Sequence, residues 1–125
     1  HQLEHALSGV YPFVSHGAGL AVLFPAWAKY YLKHESKKFA ALGRAVFGLV
    51  GDDDNSLGKK FIEELENFFK YLDMPMSYTD LGINDVDYDL LVNVYSDNKT
   101  RAVPHRLEPM DYMVAEKIYK LVKEG

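Results

Sequence analysis

HQLEHALSGVYPFVSHGAGLAVLFPAWAKYY, residues 1–31, sets three histidines, His1, His5 and His16, beside the eleven residues Ala18–Ala28, none of them charged. A segment apolar on every side must be surrounded by protein on every side, so 18–28 is expected as the central helix of the fold. It is shorter than the about 20 residues needed to cross a bilayer, and Pro25 interrupts it, so no membrane span is expected.

Outward from this segment, apolar residues recur with helical spacing and almost nowhere with the alternation of a half-buried strand. Leu57, Phe61, Ile62, Leu65, Phe68, Phe69 and Leu72 form one stripe, entered through GDDDNS (51–56) and stopped at Pro75. Phe39, Leu42, Val46 and Phe47 form an earlier stripe that ends in the Gly48–Gly51 region. Val86, Leu90, Leu91 and Val94 form a later one, with Asn84 or Asp85 as its N-cap. The last helix places Pro109 near its first turn and is expected to bury Met110, Met113, Val114, Ile118, Leu121 and Val122. The fold class is therefore all-α, a single bundle-like helical domain over residues 1–125, with no repeat or linker that would divide it.

Composition narrows the function. With 48% hydrophobic and 26% charged residues the chain can bury a core and lacks the signature of disorder. A net charge of -4 excludes a phosphate-binding surface, and no nucleic-acid partner is expected. Lys99, Arg101, His105 and Arg106 are the one local basic cluster and are expected in a solvated loop. The absence of cysteine excludes disulfides and thiolate metal sites and fits a cytoplasmic protein. The chain starts with neither an initiator Met nor a basic leader and is expected to be a piece of a longer polypeptide. Asp52, Asp54, Ser56 and Glu63 stand at calcium-loop offsets, but Leu57 occupies the position where the sharp turn demands Gly, so they are read as a helix start.

On a helix over the first eleven residues, Leu3, Leu7, Val10 and Tyr11 form the apolar stripe, and His1, Glu4, His5 and Ser8 line another face. His1 and His5 are thus one turn apart on one side, a spacing at which two imidazoles can share a divalent cation or simply face solvent. His16 stands before Gly17 at the head of the buried helix, where the helix dipole favours a neutral ring with a free lone pair. Glu4 is expected as an exposed helix residue rather than a fourth ligand, Trp27 as core packing, and His34 as solvated. His105 is assigned no role.

The combined pattern HxxxHxLSxxY (1–11) and HGAGLAxxxPAW (16–27) resembles the iron-containing (group III) alcohol dehydrogenases, in particular their NAD(P)H-dependent butanol dehydrogenase branch. FFKYLDMPMSYTDLGI (68–83) and RLEPMDYMVAEKIYKLV (106–122) are similar to later parts of the same family. NKTRAVPHRLEP (98–109) departs from its usual approach to the last helix, and the loop between His5 and His16 is slightly longer than the family pattern.

The resemblance implies the C-terminal half of a two-domain dehydrogenase. In that family an Asp and three His hold a divalent metal, Fe²⁺ first and Zn²⁺ as an alternative. The Asp and one His belong to an upstream helix; the other two ligands match His1 and His16. His5 matches a catalytic histidine near the nicotinamide and substrate. The implied reaction interconverts primary alcohols and aldehydes with NAD(H) or NADP(H), in an enzyme expected to be a homo-oligomer. This chain has no glycine-rich strand-turn-helix; the resemblance implies an upstream nucleotide-binding domain that holds the cofactor, and the chain alone is expected to be inactive. The alternatives are a stand-alone helical interaction module and a glycerol dehydrogenase-like relative acting on a polyol.

Overall fold

The computed structural model describes all 125 residues. Five α-helices follow one another: α1 (Gln2–Val10), α2 (His16–Phe47), α3 (Asp54–Tyr71), α4 (Tyr88–Ser96) and α5 (Tyr112–Leu121), with a 3-10 turn at Thr79–Leu81. There are no strands, only isolated bridges at Ser77–Lys123 and Val103–Met110. The all-α expectation holds. No helix is long and apolar enough to cross a membrane.

Two hydrophobic clusters organise these elements. The larger joins Leu3 and Leu7 of α1 and Val22, Leu23 and Ala26 of α2 to Leu91 and Tyr95 of α4 and Val114, Ile118 and Tyr119 of α5. The smaller, built on Leu32, Phe39, Phe61 and Ile62, fastens the distal part of α2 to α3. These helices approach closely because residue 58 is glycine: a Cβ there would lie 2.6 Å from Leu32 Cδ1. Lys29–Glu66 and Arg44–Asp54 pairs at 3.2 and 3.4 Å decorate the same seam, where exposure keeps their contribution small.

Several local readings are corrected by the structure. The stripes at 18–28 and 39–47 lie on two helical arms of α2 that meet at a kink at Glu35 (φ -122°, ψ 24°), and the first arm passes through Pro25. A proline removes one backbone donor, but packing around α2 outweighs that local loss. The central segment is also not enclosed on all sides, since Phe24 is 39% exposed.

The helix α4 starts at an Asp87 cap, not Asn84 or Asp85, and turns Leu91, Val92 and Tyr95 inward while Leu90 and Val94 face out. Asp111 caps α5 by accepting from the Met113 and Val114 amides, so Pro109 precedes the helix, and Met113 and Leu121 are exposed. Phe68 and Leu72 of the α3 stripe are exposed as well, and α3 ends at Tyr71, ahead of Pro75. Asp53 caps α3, in keeping with a helix start rather than a calcium loop.

Candidate metal centre

The two histidine-bearing segments meet because the chain reverses between them. At Tyr11 the amide closes α1 on the Leu7 carbonyl, and Pro12 then denies the helix a further donor. The Val14 amide turns back onto the Tyr11 carbonyl at 3.0 Å. Ser15 caps α2, accepting from the Ala18 amide at 3.3 Å, and His16 is the first helical residue. The first turn of α1 is fixed from below: the buried Tyr119 hydroxyl of α5 donates to the Leu3 carbonyl at 2.7 Å. Burial pushes that phenol well above its ordinary range, so it remains a donor at any physiological pH.

The result is one cluster. One ring nitrogen from each of His1, His5 and His16 lies within 4.8 Å of the other two, and all three side chains are exposed. The His1 and His16 rings are 5.2 Å apart and nearly parallel, and His5 is 5.5 Å from His16. All three candidate residues are thus brought together. Their geometry draws no line between His5 and the other two.

Glu4 is where the sequence reading fails. It is 1% exposed and lies with Leu3, Ala6 and Leu7 on the buried side of α1. Its Oε1 meets His16 Nδ1 at 2.6 Å, and its Oε2 accepts from Ser8 Oγ at 2.6 Å. A carboxylate only accepts, so the bond assigns a proton to His16 Nδ1, and in the neutral ring Nε2 then holds the lone pair. Three imidazoles, one oriented through its far nitrogen by a carboxylate, form a donor set that fits a divalent transition metal. The available signal was the Glu4–Ser8 spacing of one turn, read together with a glycine at 19.

Beside the cluster lies an apolar cleft of about 730 Å³, with His1, Gly17, Leu20, Phe24, Trp27 and Phe69 in its wall. Trp27, expected purely as core, is half-buried: it packs on Tyr31 and Phe39 and also lines this cleft. A few polar groups at one end of an apolar hollow is the usual composition of a small-molecule site.

The other histidines lie elsewhere. His34 is not solvated; its Nε2 is buried 3.7 Å from Glu108 Oε1. Glu108 also pairs with Lys33 at 3.3 Å, and the Tyr30 hydroxyl and Lys33 hold its carboxyl below the usual range. His105 has a structural role: Nδ1 accepts from the Leu107 and Glu108 amides at 3.1 and 3.2 Å, so Nε2–H donates to Glu35 at the α2 kink, 3.2 Å away. The basic residues Lys99, Arg101 and Arg106 lie exposed in a loop, as expected, with Lys99 over Tyr112, Arg101 toward the Tyr95 carbonyl and Arg106 toward Glu35.

Comparison with known proteins gives this arrangement a family. The model of the Fe-containing alcohol dehydrogenase family, C-terminal part, matches residues 1–123. The chain belongs to that family. It is 32% identical over 102 residues to the probable NADH-dependent butanol dehydrogenase 1 of Bacillus subtilis, covering 80% of this chain and 26% of that protein. With NADH-dependent butanol dehydrogenase A of Clostridium acetobutylicum it shares 32% identity over 93 residues, 73% of this chain and 24% of the relative. The crystal structure of NADH-dependent butanol dehydrogenase A from Thermotoga maritima superposes with a TM-score of 0.86 at 31% identity, over 99% of this chain and 32% of that one. The chain thus spans about a quarter of the length of the curated relatives it matches and corresponds to the C-terminal helical domain of an iron-type alcohol dehydrogenase.

Proposed function

We propose that this chain is the metal-holding domain of an NAD(P)-dependent alcohol dehydrogenase, which interconverts a primary alcohol and its aldehyde once an upstream nucleotide-binding domain of the same polypeptide completes the site. The observation that carries this reading is the clustering of His1, His5 and His16, with His1 also in the wall of an apolar cleft.

His1 and His16 supply two neutral nitrogen donors for a divalent ion, Fe²⁺ before Zn²⁺, with the remaining ligands and the dinucleotide site on the upstream domain. The metal, when bound, supplies Lewis acidity toward the substrate oxygen, and the nicotinamide supplies the redox chemistry. His5, exposed beside the pair, carries a proton on a ring nitrogen within reach of the substrate oxygen and passes it to solvent. Leu20, Phe24 and Trp27 exclude water and receive the alkyl part of the substrate. An apolar wall favours a short unbranched alcohol over a polyol, and relatives named as NADH-dependent butanol dehydrogenases favour butanol and NADH. The enzyme is read as a cytoplasmic homo-oligomer.

The test is calorimetry with Fe²⁺ or Zn²⁺ on the complete polypeptide, followed by assay of butyraldehyde reduction with NADH. Stoichiometric binding that disappears in His1→Ala and His16→Ala, with turnover lost alongside, is expected. In His5→Ala, binding survives and turnover falls. A complete protein that binds neither metal overturns the reading.

A further inference from the structure

Glu4 combines features that a surface carboxylate of a helix does not need. It is buried, both of its oxygens are engaged, and the neighbouring helix makes room for it: a Cβ at residue 19 would fall 2.3 Å from Glu4 Oε2, inside any tolerable contact. That obstacle is not the far end of a mobile chain, because the carboxylate is tied at one oxygen to His16 and at the other to Ser8. Ser8 Oγ is itself 3.1 Å from the Val14 carbonyl in the turn that leads into His16. With Oε1 on His16 Nδ1 and Oε2 on Ser8 Oγ, Glu4 acts on the cluster through the His16 ring.

We propose that Glu4 is the positioning residue of the metal centre: it holds His16 as the Nδ1–H tautomer, aims Nε2 at the ion shared with His1, and fits there only because residue 19 is glycine. The assignment rests on the metal-centre reading above. Its physical basis is general, since a ligating histidine needs its second nitrogen fixed, and losing the group that fixes it weakens metal binding by roughly tenfold to a hundredfold. Gly17, by contrast, has open space where its Cβ would go, so of the two glycines only Gly19 is required by this contact.

The experiment uses the complete polypeptide with three forms of residue 4. Histidine ¹⁵N NMR on the metal-free protein reads the tautomer of His16, and calorimetry reads Zn²⁺ affinity. The wild type is expected to show a protonated Nδ1 and a pyridine-type Nε2. Glu4→Gln keeps an acceptor for Nδ1–H and is expected to retain that tautomer, with Zn²⁺ affinity less than tenfold weaker. Glu4→Met fills the space with no acceptor, so mixed tautomers and a roughly tenfold to hundredfold loss of Zn²⁺ affinity are expected.

A wild-type His16 protonated on Nε2 overturns the proposal with no variant needed. So does a Met variant that keeps wild-type affinity and tautomer, because the role is then only one of packing. Zn²⁺ binding absent from the wild type overturns the metal-centre reading itself, an outcome distinct from either.

Discussion

Each of the two histidine groups of this domain has one member on α2, and the two face opposite fates. At the head of α2, His16 meets His1 and His5 with one nitrogen of each ring within 4.8 Å of the other two, and the buried carboxylate of Glu4 engages Nδ1 of His16. At the kink of α2, His34 and His105 lie 5.9 Å apart, but both nitrogens of His105 are taken, one by two backbone amides and the other by Glu35, and His34 faces Glu108. In the second group it is His105 that ties a loop to a bend, through both of its ring nitrogens. Residue type is equal in the two; what differs is which side of each ring the protein engages.

The sharpest way to break this contrast is to exchange the losses. His16→Ala in the complete polypeptide is expected to abolish stoichiometric Fe²⁺ or Zn²⁺ binding, whereas a His34→Ala/His105→Ala pair leaves the stoichiometry unchanged, as calorimetry will read. Binding lost from the second variant, with the fold intact by circular dichroism, would erase the distinction.

A smaller effect runs the other way. His105→Ala leaves the Leu107 and Glu108 amides and Glu35 without their partner and is expected to lower unfolding free energy by about 1–3 kcal/mol in urea titration. His5→Ala, on an exposed ring, should change stability by less than ~0.5 kcal/mol.

The open group also depends on support from beneath, through Tyr119. Removing that hydroxyl in Tyr119→Phe takes a partner from the Leu3 carbonyl and is expected to destabilise by about 1 kcal/mol, with a modest rise in the Zn²⁺ dissociation constant as the first turn of α1 loosens. An unchanged affinity would show that α1 holds His1 without help from α5.

The smallest effect lies remote from both groups, at the α3 cap. The Ser56 hydroxyl, and after it the Ser56 amide, hold the Asp53 carboxyl below its ordinary range. A depressed carboxyl contributes stability that is fully present at neutral pH and disappears as the pH falls through and below the usual aspartate range. Asp53→Asn should therefore flatten the acid limb of the thermal unfolding profile slightly and leave metal binding untouched, which makes it a control for both groups.

Helical periodicity, the missing alternation of strands and the placement of His1, His5 and His16 around one reversal of chain were legible in the order of residues. Each is local information, repeated within a turn or two. The run of α2 beyond residue 28 toward the kink at Glu35 was not legible, because the contacts with α3 and α5 that support it lie far along the chain. The inward faces of α4 and α5 were misjudged for a related reason. A stripe such as Leu90–Val94 shows that a helix has an apolar side, while the neighbours decide how far it is rotated.

By itself the sequence determined that this protein is built of helices and that three imidazoles stand in the segment leading into the most apolar one. Only the tertiary structure decided that Glu4 belongs inside, that His105 is a fastener, and that the central helix leaves one side open as a cleft. The physical reason is that burial and hydrogen-bond partnership are properties of pairs distant in sequence. Gly19 admits a carboxylate fifteen positions earlier, and His105 reaches a kink seventy positions before it. No local pattern carries either fact.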